Sequence, residues 1–517
     1  MEVSRPILED RIEGSSSAPT QAASLQSIRG HLQHALYAIS LAVSISIWFF
    51  AIRAPLWLDE TISFWQIHAG FWKISSRQGL SFPAYSYILW LWSKLTGTGT
   101  ITLRASSILA MLGAVYLLYR TARELFDRDV AIIAAVVFCL HPVVIFASID
   151  VRSYAFAALA ITSSIFALVR LRRNTSNWLA ALFGFSAACI VYFHLLFVVI
   201  LPALAICFVT LIAGDRKTVW RQLGVALVAF GLAFLPVIPN IQYMFHTSGT
   251  HVFAEAPKLV ELRSTLALGK WPSFILAGTV LVAAATRRLD LKSHLEGWPI
   301  LLCTSLALVP ILILYGVSVE TSIHVFLFRY RLVAIPGIAL CWALVVSRVD
   351  SRALRLLFCM AIVAAVAYHD FSSPFSRLHG YTWKYALEFV EKNASADDAP
   401  VLICSDFPES DYMPMPAGSA IKDSNIFAPL TYYKLNVPVV PLPRALNDEA
   451  VRISSQFLQQ AAKRHQRFLA LAFLPSYGSL DWIAEKAGGT HYVRELGVFD
   501  GIKVLEFIPR TGPEASR

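Results

Sequence analysis

Charged residues are scarce in this sequence, and that scarcity sets its class. Of its 517 residues, 15% are charged and 56% are hydrophobic, and the mean hydropathy is +0.58. Soluble domains carry about 25% charged residues, so the composition excludes an ordinary soluble enzyme. Strict polar–apolar alternation is also missing, which argues against barrel strands. The apolar residues form continuous runs of roughly 17–25 residues, long enough to cross a bilayer as helices. We therefore predict an α-helical polytopic membrane protein.

Cysteine is scarce outside the apolar runs. Six of the seven cysteines fall in predicted spans, and Cys404 alone lies in the C-terminal part. One cysteine cannot form an internal disulfide, so no disulfide framework is expected there. Residues 1–30 are polar and lack the short apolar core and cleavage site of a signal peptide. We expect them to form a disordered cytoplasmic tail.

Eleven apolar runs are predicted to span the membrane and to define a transmembrane domain at residues 31–370. A further apolar stretch, 82–95, is short and aromatic, and we expect it to lie in the membrane interface. The predicted spans are 34–53, 103–119, 130–147, 154–170, 177–193, 195–213, 219–239, 272–286, 297–318, 332–347 and 354–370.

Basic residues fall on one side of the membrane when the N-terminus is placed in the cytoplasm, as the positive-inside rule requires. An odd number of spans then places the C-terminal part outside the cytoplasm. The net charge of +10 reflects mainly this asymmetry, and no basic stripe suggests a nucleic-acid partner. The cytoplasmic clusters are Arg120, Arg123 and Arg128; Arg170, Arg172 and Arg173; Arg216, Lys217 and Arg221; Arg287, Arg288 and Lys292; and Arg348, Arg352 and Arg355.

Residues 371–517 are more polar, contain no spanning run, and alternate between helix-like and strand-like segments. Strands separated by amphipathic helices are typical of a small α/β domain. We therefore predict an extracytoplasmic α/β domain, with helices at 381–393, 448–464 and 480–486, and strands at 401–404, 437–442, 468–473, 491–496 and 503–508.

The first outer loop, residues 54–102, carries the acidic pair Asp59-Glu60 in a tryptophan-rich setting. Tryptophan prefers the membrane interface, so the pair is expected at the depth of the lipid head groups. A carboxylate there could deprotonate a hydroxyl beside a lipid-borne donor. The alternative is structural: Asp59 would cap the helix that starts near Thr61, and Glu60 would interact with its dipole.

Three further polar groups lie at predicted outer ends of spans, where ionisable residues are functional candidates. An arginine at that surface suits a phosphate, because its guanidinium can bind two oxygens. The simpler interpretations are a polar turn, interfacial snorkelling of the arginines and a structural histidine. The groups are the turn of Asp150, Arg152 and Tyr154; the turn of Tyr192 and His194; and Arg329, Tyr330 and Arg331.

Taken in order, these four places resemble the bacterial membrane glycosyltransferases of the GT-C fold. The likeness is to the family 39-like group of protein mannosyltransferases, aminoarabinose transferases and rhizobial galacturonosyltransferases. Leu58-Asp59-Glu60 is similar to the family's acidic pair, and Arg329-Tyr330 followed by Pro336 to its entry into a late span. Asp150-Val-Arg152-Ser-Tyr154 and Tyr192-Phe-His194 resemble its two intervening turns.

One motif departs from the family pattern. Relatives often carry His-Pro-Pro-Leu-Tyr after the first loop, whereas this chain has Ser81-Phe-Pro-Ala-Tyr85. The proline and Tyr85 remain, and Tyr85 stays a candidate for substrate binding. The histidine, which in some relatives helps to bind a metal or the donor, is missing. A divalent metal cofactor is therefore left open.

The resemblance implies an enzyme of the bacterial cytoplasmic membrane that takes a sugar from a polyprenyl-phosphate carrier. The acceptor would be a glycolipid such as lipid A or its core, a polysaccharide or a protein. Asp59 would act as the base, with Glu60 positioning or replacing it. Arg152 and Arg329 would hold the phosphate, and Asp150 would orient Arg152 or the acceptor. The anomeric centre would be inverted.

Two other functions are compatible with parts of the sequence. A lipid or sugar transporter, such as a flippase, would place polar residues and broken helices near the bilayer midplane. Neither feature is clear here, although Pro202, Pro236 and Pro310 interrupt spans. A non-catalytic receptor or scaffold would use the α/β domain to bind a partner. That function leaves the acidic loop and the outer arginines unexplained.

Overall fold

The protein consists of a large helical part followed by a small sheet domain. The computed structural model describes residues 18–77, 84–213, 216–239, 241–242, 255–290, 297–372, 381–395 and 397–510. In the helical part, the first helices are α1 (Ala18–Ser46), α2 (Leu58–His68), α3 (Ala84–Thr96), α4 (Thr100–Leu125), α5 (Arg128–Leu140), α6 (Pro142–Ile149), α7 (Tyr154–Arg173) and α8 (Asn177–Phe193). They are followed by α9 (Leu201–Val209), α10 (Arg216–Phe234), α11 (Leu259–Leu266), α12 (Lys270–Ala285), α13 (Gly297–Glu320), α14 (Ile335–Val346) and α15 (Arg352–Ser372).

The apolar helices confirm a multi-pass membrane protein. Among the described residues, 7 helices are long and apolar enough to cross a bilayer, and the number rises to 9 if each of two bent pairs counts as one span. Two shorter apolar helices, Asn177–Phe193 and Leu195–Val209, occupy the remaining predicted positions. Each of the eleven predicted spans therefore corresponds to an apolar helical segment.

Two predicted spans are not straight. The run predicted at 130–147 is divided between α5 and α6, which meet at an angle of 69°. Pro142 begins the second helix, and a proline there has no N–H with which to continue the first. The run predicted at 272–286 is the second arm of another bent pair, α11 and α12, with an angle of 56°. An apolar run fixes the length of a span but carries no information on such a bend.

The predicted boundary at residue 30 is wrong in one respect. Helix α1 begins at Ala18, so residues 18–30 belong to the first helix and not to a disordered tail. Residues 1–17 lie outside the described part of the chain. The stretch predicted to lie in the interface contains α3, a helix of 13 residues. A span needs about 20 residues, so α3 is too short to cross a bilayer alone.

The sheet domain has the strand order β2-β1-β3-β5-β4. Its strands are β1 (Val401–Cys404), β2 (Val439–Leu442), β3 (Phe468–Phe473), β4 (His491–Phe499) and β5 (Ile502–Pro509). Strand β1 is parallel to both of its neighbours, β2 and β3, whereas β5 is antiparallel to β3 and β4. Helices α16 (Lys384–Asn393), α17 (Ala428–Tyr432), α18 (Asp448–Lys463) and α19 (Tyr477–Ala487) connect them. The predicted α/β class is confirmed.

The sheet domain and the first loop share one hydrophobic core. Trp57 and Leu58 of the loop pack in the same buried cluster as Trp383, Phe427 and other residues of the domain. Hydrogen bonds reinforce this contact, because the hydroxyls of Thr382 and Tyr433 both donate to the backbone oxygen of Leu56, at 3.1 and 2.6 Å. The domain thereby holds the loop that carries the acidic pair.

Candidate active site

The acidic pair lies in the first turn of α2, and its two carboxylates have different surroundings. Trp57 precedes the helix in an extended conformation, with φ −83° and ψ 175°. Its backbone N–H donates to Glu60 Oε2 at 3.1 Å. Glu60 therefore satisfies one of the free N–H groups at the helix start. The structural interpretation of Asp59 as the helix cap is wrong, because the helix already begins at Leu58 and its N-cap is Trp57.

Glu60 forms a completely buried ion pair with Arg104 of α4. Arg104 donates to both carboxylate oxygens, at 2.9 and 2.6 Å, and both side chains have 0% exposure. Arg104 also donates to the backbone oxygens of Ala51, Ile52 and Ala54, which end the first span. With its oxygens occupied and no access to solvent, Glu60 positions the loop. The predicted direct role of Glu60 as a base does not fit these contacts.

Sequence reasoning missed Arg104. The signal was present, because this residue is a cation at the end of a predicted span on the side where the positive-inside rule expects few. Its partner lies 44 residues away in sequence, which no local pattern reveals.

Asp59 faces the two arginines that were predicted separately. Arg329 Nη1 donates to Asp59 Oδ2 at 2.6 Å, and Arg152 Nη1 donates to the backbone oxygen of Asp59 at 3.2 Å. The Asp59 side chain is 15% exposed and that of Arg329 is 25% exposed. A carboxylate and two guanidinium groups therefore meet at one partly accessible place.

Asp150 supports this cluster from behind. Its Oδ1 accepts a hydrogen bond of 3.0 Å from the indole N–H of Trp57, and Ser107 donates to its backbone oxygen at 2.6 Å. The ring of Trp57 in turn lies 5.9 Å from the Arg329 guanidinium, within the range of a cation–π contact. Asp150 thus fixes the aromatic ring beside Arg329, a role that the sequence did not predict.

His194, Tyr154 and Tyr330 form an aromatic wall next to Arg329. The His194 ring lies 5.2 Å from the Tyr154 ring and 4.9 Å from the Tyr330 ring. Burial, together with the positive charges of Arg329 and Arg152, lowers the pKa of His194 to about 3. The imidazole is therefore neutral at pH 7 and adds no third positive charge to the arginine pair.

Two predicted substrate-binding residues lie apart from this cluster. Arg331 donates to Glu261 Oε2 at 2.6 Å and lies over the Phe326 ring, away from Asp59. The prediction that it holds substrate is not supported, because its charge is already paired. Tyr85 is buried in a small apolar cluster with Leu56 and packs against Phe156 at 5.5 Å. Tyr85 therefore supports the loop from within the core.

The sheet domain contributes a further carboxylate that was not predicted. Asp406 lies two residues after the end of β1, is 6% exposed, and has no hydrogen-bond partner for Oδ2 among the described residues. Burial, with a smaller effect from the negative charge of Asp59, raises the pKa of its carboxyl to about 6. Asp406 lies at the carboxyl end of β1, which is next to β3. The connections that leave β1 and β3 run toward opposite edges of the sheet, and open α/β sheets bind ligands at such a point.

The described residues contain no group of three or more His, Cys, Asp or Glu side chains that could hold a metal ion. Residues 81–83, part of the stretch where the family histidine is missing, lie outside the described part of the chain. The acid closest to the arginine pair, Asp59, is already paired with a cation. The described residues thus do not fit a divalent metal, and we derive no step through one.

Part of the chain matches a known protein family. Residues 81–243 match the family model described as dolichyl-phosphate-mannose-protein mannosyltransferase. That range includes the turn of Asp150 and Arg152 and the turn of His194. No curated protein sequence matches the chain significantly.

Solved structures extend the similarity to almost the whole chain. ArnT from Cupriavidus metallidurans in the apo state is similar over 93% of this chain and 98% of its own, with 11% identity and a TM-score of 0.55. The same protein bound to undecaprenyl phosphate is similar over 91% of this chain and 97% of its own, with 11% identity and a TM-score of 0.53. The apo oligosaccharyltransferase of Archaeoglobus fulgidus is similar over 93% of this chain and 75% of its own, with 11% identity and a TM-score of 0.50.

These similarities cover both parts of the chain, the helical part and the sheet domain. At 11% identity these similarities establish the fold and do not identify the substrates. The chain has the GT-C fold of membrane glycosyltransferases.

Proposed function

We propose that this protein is an inverting glycosyltransferase that moves a sugar from a polyprenyl-phosphate carrier to a hydroxyl-bearing acceptor. The observation that carries the proposal is the contact of Asp59 with Arg329, beside Arg152, near the start of the first loop. The reaction needs a base for the acceptor and cations for the departing phosphate. One small cluster supplies both.

The donor end of the cluster is cationic. Arg152 and Arg329 present two guanidinium groups, and planar guanidinium groups bind phosphate oxygens in pairs. The neutral His194 ring and the Tyr154 and Tyr330 rings form an adjacent apolar face for a sugar or the first part of a lipid chain. The crystal structure of the similar protein ArnT with undecaprenyl phosphate supports a polyprenyl phosphate as the ligand.

The proposed transfer is a single displacement. The acceptor oxygen forms a bond to the anomeric carbon while the bond from that carbon to the phosphate oxygen breaks. The leaving electron pair stays on the phosphate, where Arg329 and Arg152 stabilise the added charge. Asp59 takes the acceptor proton. When the phosphate draws Arg329 toward itself, Asp59 loses its ion-pair partner and becomes a stronger base.

The reaction is assigned to the extracytoplasmic face of the bacterial cytoplasmic membrane. The positive-inside pattern puts the first loop and the sheet domain there. Nucleotide sugars are absent on that side, so a lipid-borne sugar in the same leaflet is the natural source. The acceptor is a glycolipid such as lipid A or its core, a polysaccharide or a protein hydroxyl.

The test compares a deletion strain carrying the wild-type protein, Asp59→Asn or Asp481→Asn. Asp481 is a matched control, because its side chain is 69% exposed and lies in the sheet domain. Mass spectrometry of envelope glycolipids and glycans should show one sugar missing in the deletion strain and with Asp59→Asn, and restored with the other two. Full restoration by Asp59→Asn, at equal expression, would contradict the assignment of the base.

The breaks in the helices do not favour the alternative function of a transporter. The break between α5 and α6 contains His141, which is 3% exposed. Its ring nitrogens contact the backbone of Thr265 and Val143, so the break is filled by protein contacts. Movement of a labelled polyprenyl-phosphate lipid across liposomes, unchanged by Asp59→Asn, would favour transport.

A further inference from the structure

A cleft lies between the end of the first span, the start of α4 and the sheet domain. Its volume is about 380 Å³, within the usual range for ligand sites. No residue of the Asp59, Arg152 and Arg329 cluster lines it. The residues that matter for its chemistry are Arg53, Phe64, Thr100, Lys384, Tyr432 and Lys434.

The cleft is lined by cations and by no carboxylate. Arg53, Lys384 and Lys434 come from three different segments of the chain. Lys384 has Glu388 at 3.7 Å, a pair in which both side chains are well exposed. Within the described part of the chain, the side chains of Arg53 and Lys434 make no ion pair. The cleft therefore holds an excess of positive charge.

The start of a helix adds to this charge, and the backbone of one of the lysines is in an uncommon conformation. Thr100 starts a helix of 26 residues whose first turn contains no acidic residue, so its positive dipole end faces the cleft uncompensated. Lys434 has φ +53°, a conformation that favours glycine or asparagine. A lysine at such a position costs stability and gains nothing in local packing, because its side chain is exposed.

The position of the cleft matches the depth of lipid head groups. Arg53 lies two residues beyond the candidate span Gly30–Ala51. Tyr432 exchanges a hydrogen bond of 3.1 Å with Thr100, and its ring packs edge-on against Phe64 at 4.9 Å. Aromatic residues with a polar tip are typical of the membrane interface. The cleft thus combines a cationic end with aromatic walls at the border of the bilayer.

We propose that this cleft binds the phosphate group of an anionic membrane lipid. A phosphate carries enough charge and enough acceptor oxygens to pair with Arg53 and Lys434 together. The aromatic walls hold the first carbons of the lipid. This site is separate from the cluster proposed to act in catalysis, and its existence does not depend on the proposed glycosyl transfer.

The test measures lipid retention by native mass spectrometry of the full-length protein in micelles containing phosphatidic acid and phosphatidylcholine. The double variant Arg53→Gln/Lys434→Gln should bind phosphatidic acid roughly 30-fold more weakly, since each interfacial cation contributes about a factor of five. The control Lys392→Gln/Arg464→Gln removes the same charges from exposed positions of the sheet domain and should retain wild-type binding.

Three results would overturn the proposal. They are equal retention by the cleft variant and the wild type, an equal loss in the control variant, and full competition by inorganic phosphate at the concentration of the lipid. The last result would indicate that the ligand of the cleft is free phosphate and not a lipid. The measurement is repeated with Asp59→Asn, which should retain the lipid. Failure of the proposed enzymatic function is thereby distinguished from failure of this site.

Discussion

Arg329 Nη1 lies 2.6 Å from Asp59 Oδ2, although 270 residues separate the two in the chain. The pair joins the first loop to the segment that enters the span Phe328–Val346. It also joins the two requirements of the proposed chemistry, a base and a phosphate-binding cation.

Arg329→Lys should lower kcat/KM for the lipid-linked donor by roughly tenfold or more, about 1.4 kcal/mol for each factor of ten. Lysine keeps the charge but loses the planar group that binds two phosphate oxygens. The measurement is sugar transfer by purified protein from a polyprenyl-phosphate donor. Arg331→Lys is the matched control, since Arg331 pairs with Glu261 and should tolerate the same exchange. Similar losses in both variants would contradict the assignment.

Arg104→Met should destabilise the protein by about 3–5 kcal/mol, because it leaves the buried carboxylate of Glu60 without a cation. Thermal unfolding in detergent, followed by tryptophan fluorescence, measures the effect. Arg452→Met removes an exposed pair with Glu449 and should leave the melting temperature nearly unchanged.

The double variant Arg104→Met/Glu60→Met separates structure from catalysis at this pair. Removing both charges should recover much of the lost stability, as it does for other buried ion pairs. Transfer activity should stay low, because the loop no longer has the contacts that orient Asp59. Recovery of full activity would show that the pair has no positioning role.

Asp406→Asn should change how stability depends on pH. The pKa of Asp406 is raised to about 6 in the folded protein, from an ordinary value of 3.8. Folding therefore favours the neutral form of this carboxyl. Its stabilising contribution to the free energy of unfolding is largest below pH 4 and is lost as the pH rises through 6. At pH 7 the ionised, buried carboxylate costs up to about 3 kcal/mol.

The asparagine variant should consequently have the higher melting temperature at pH 7, and the difference should shrink toward pH 4. Melting curves of both proteins between pH 4 and pH 8 measure it. Glu388→Gln, an exchange at an exposed carboxylate, should leave the pH profile unchanged. Parallel profiles for wild type and Asp406→Asn would refute the raised pKa.

Tyr433→Phe combined with Thr382→Val should loosen the first loop. Both hydroxyls donate to the backbone oxygen of Leu56, and a buried carbonyl without a donor costs about 1–3 kcal/mol. Hydrogen exchange of residues 54–66 should become faster in this variant. Tyr412→Phe changes a ring that is 75% exposed and should have no effect. Unchanged exchange would mean that the domain does not hold the loop.

The sequence was sufficient to predict the architecture, because helices and strands are indicated by local patterns of apolar and polar residues. Apolar length located the spans, and alternating strands and helices located the sheet domain, with β3 predicted at its observed bounds. The four polar places were found through their position at the ends of spans. Asp59, Arg152, His194 and Arg329 indeed meet, in agreement with the family resemblance.

Pairing between distant residues could not be predicted. Nothing near Glu60 in sequence indicates Arg104, and nothing near Arg331 indicates Glu261. The sequence also predicted similar roles for the adjacent residues Asp59 and Glu60. Adjacent side chains on a helix point in different directions, so the two carboxylates have different surroundings. Asp406 was missed because its importance comes from where the sheet domain packs.

The shared core of the first loop and the sheet domain has a consequence for the order in which the protein matures. Leu56 and its partner Thr382 are 326 residues apart. At ribosomal rates of about 5–20 residues per second, the loop reaches the membrane roughly 15–65 s before the segment that holds it is made. During that time Trp57 and Leu58 lack their packing partners. The first loop can therefore adopt its packed conformation only after the last quarter of the chain has been synthesised and the sheet domain has folded.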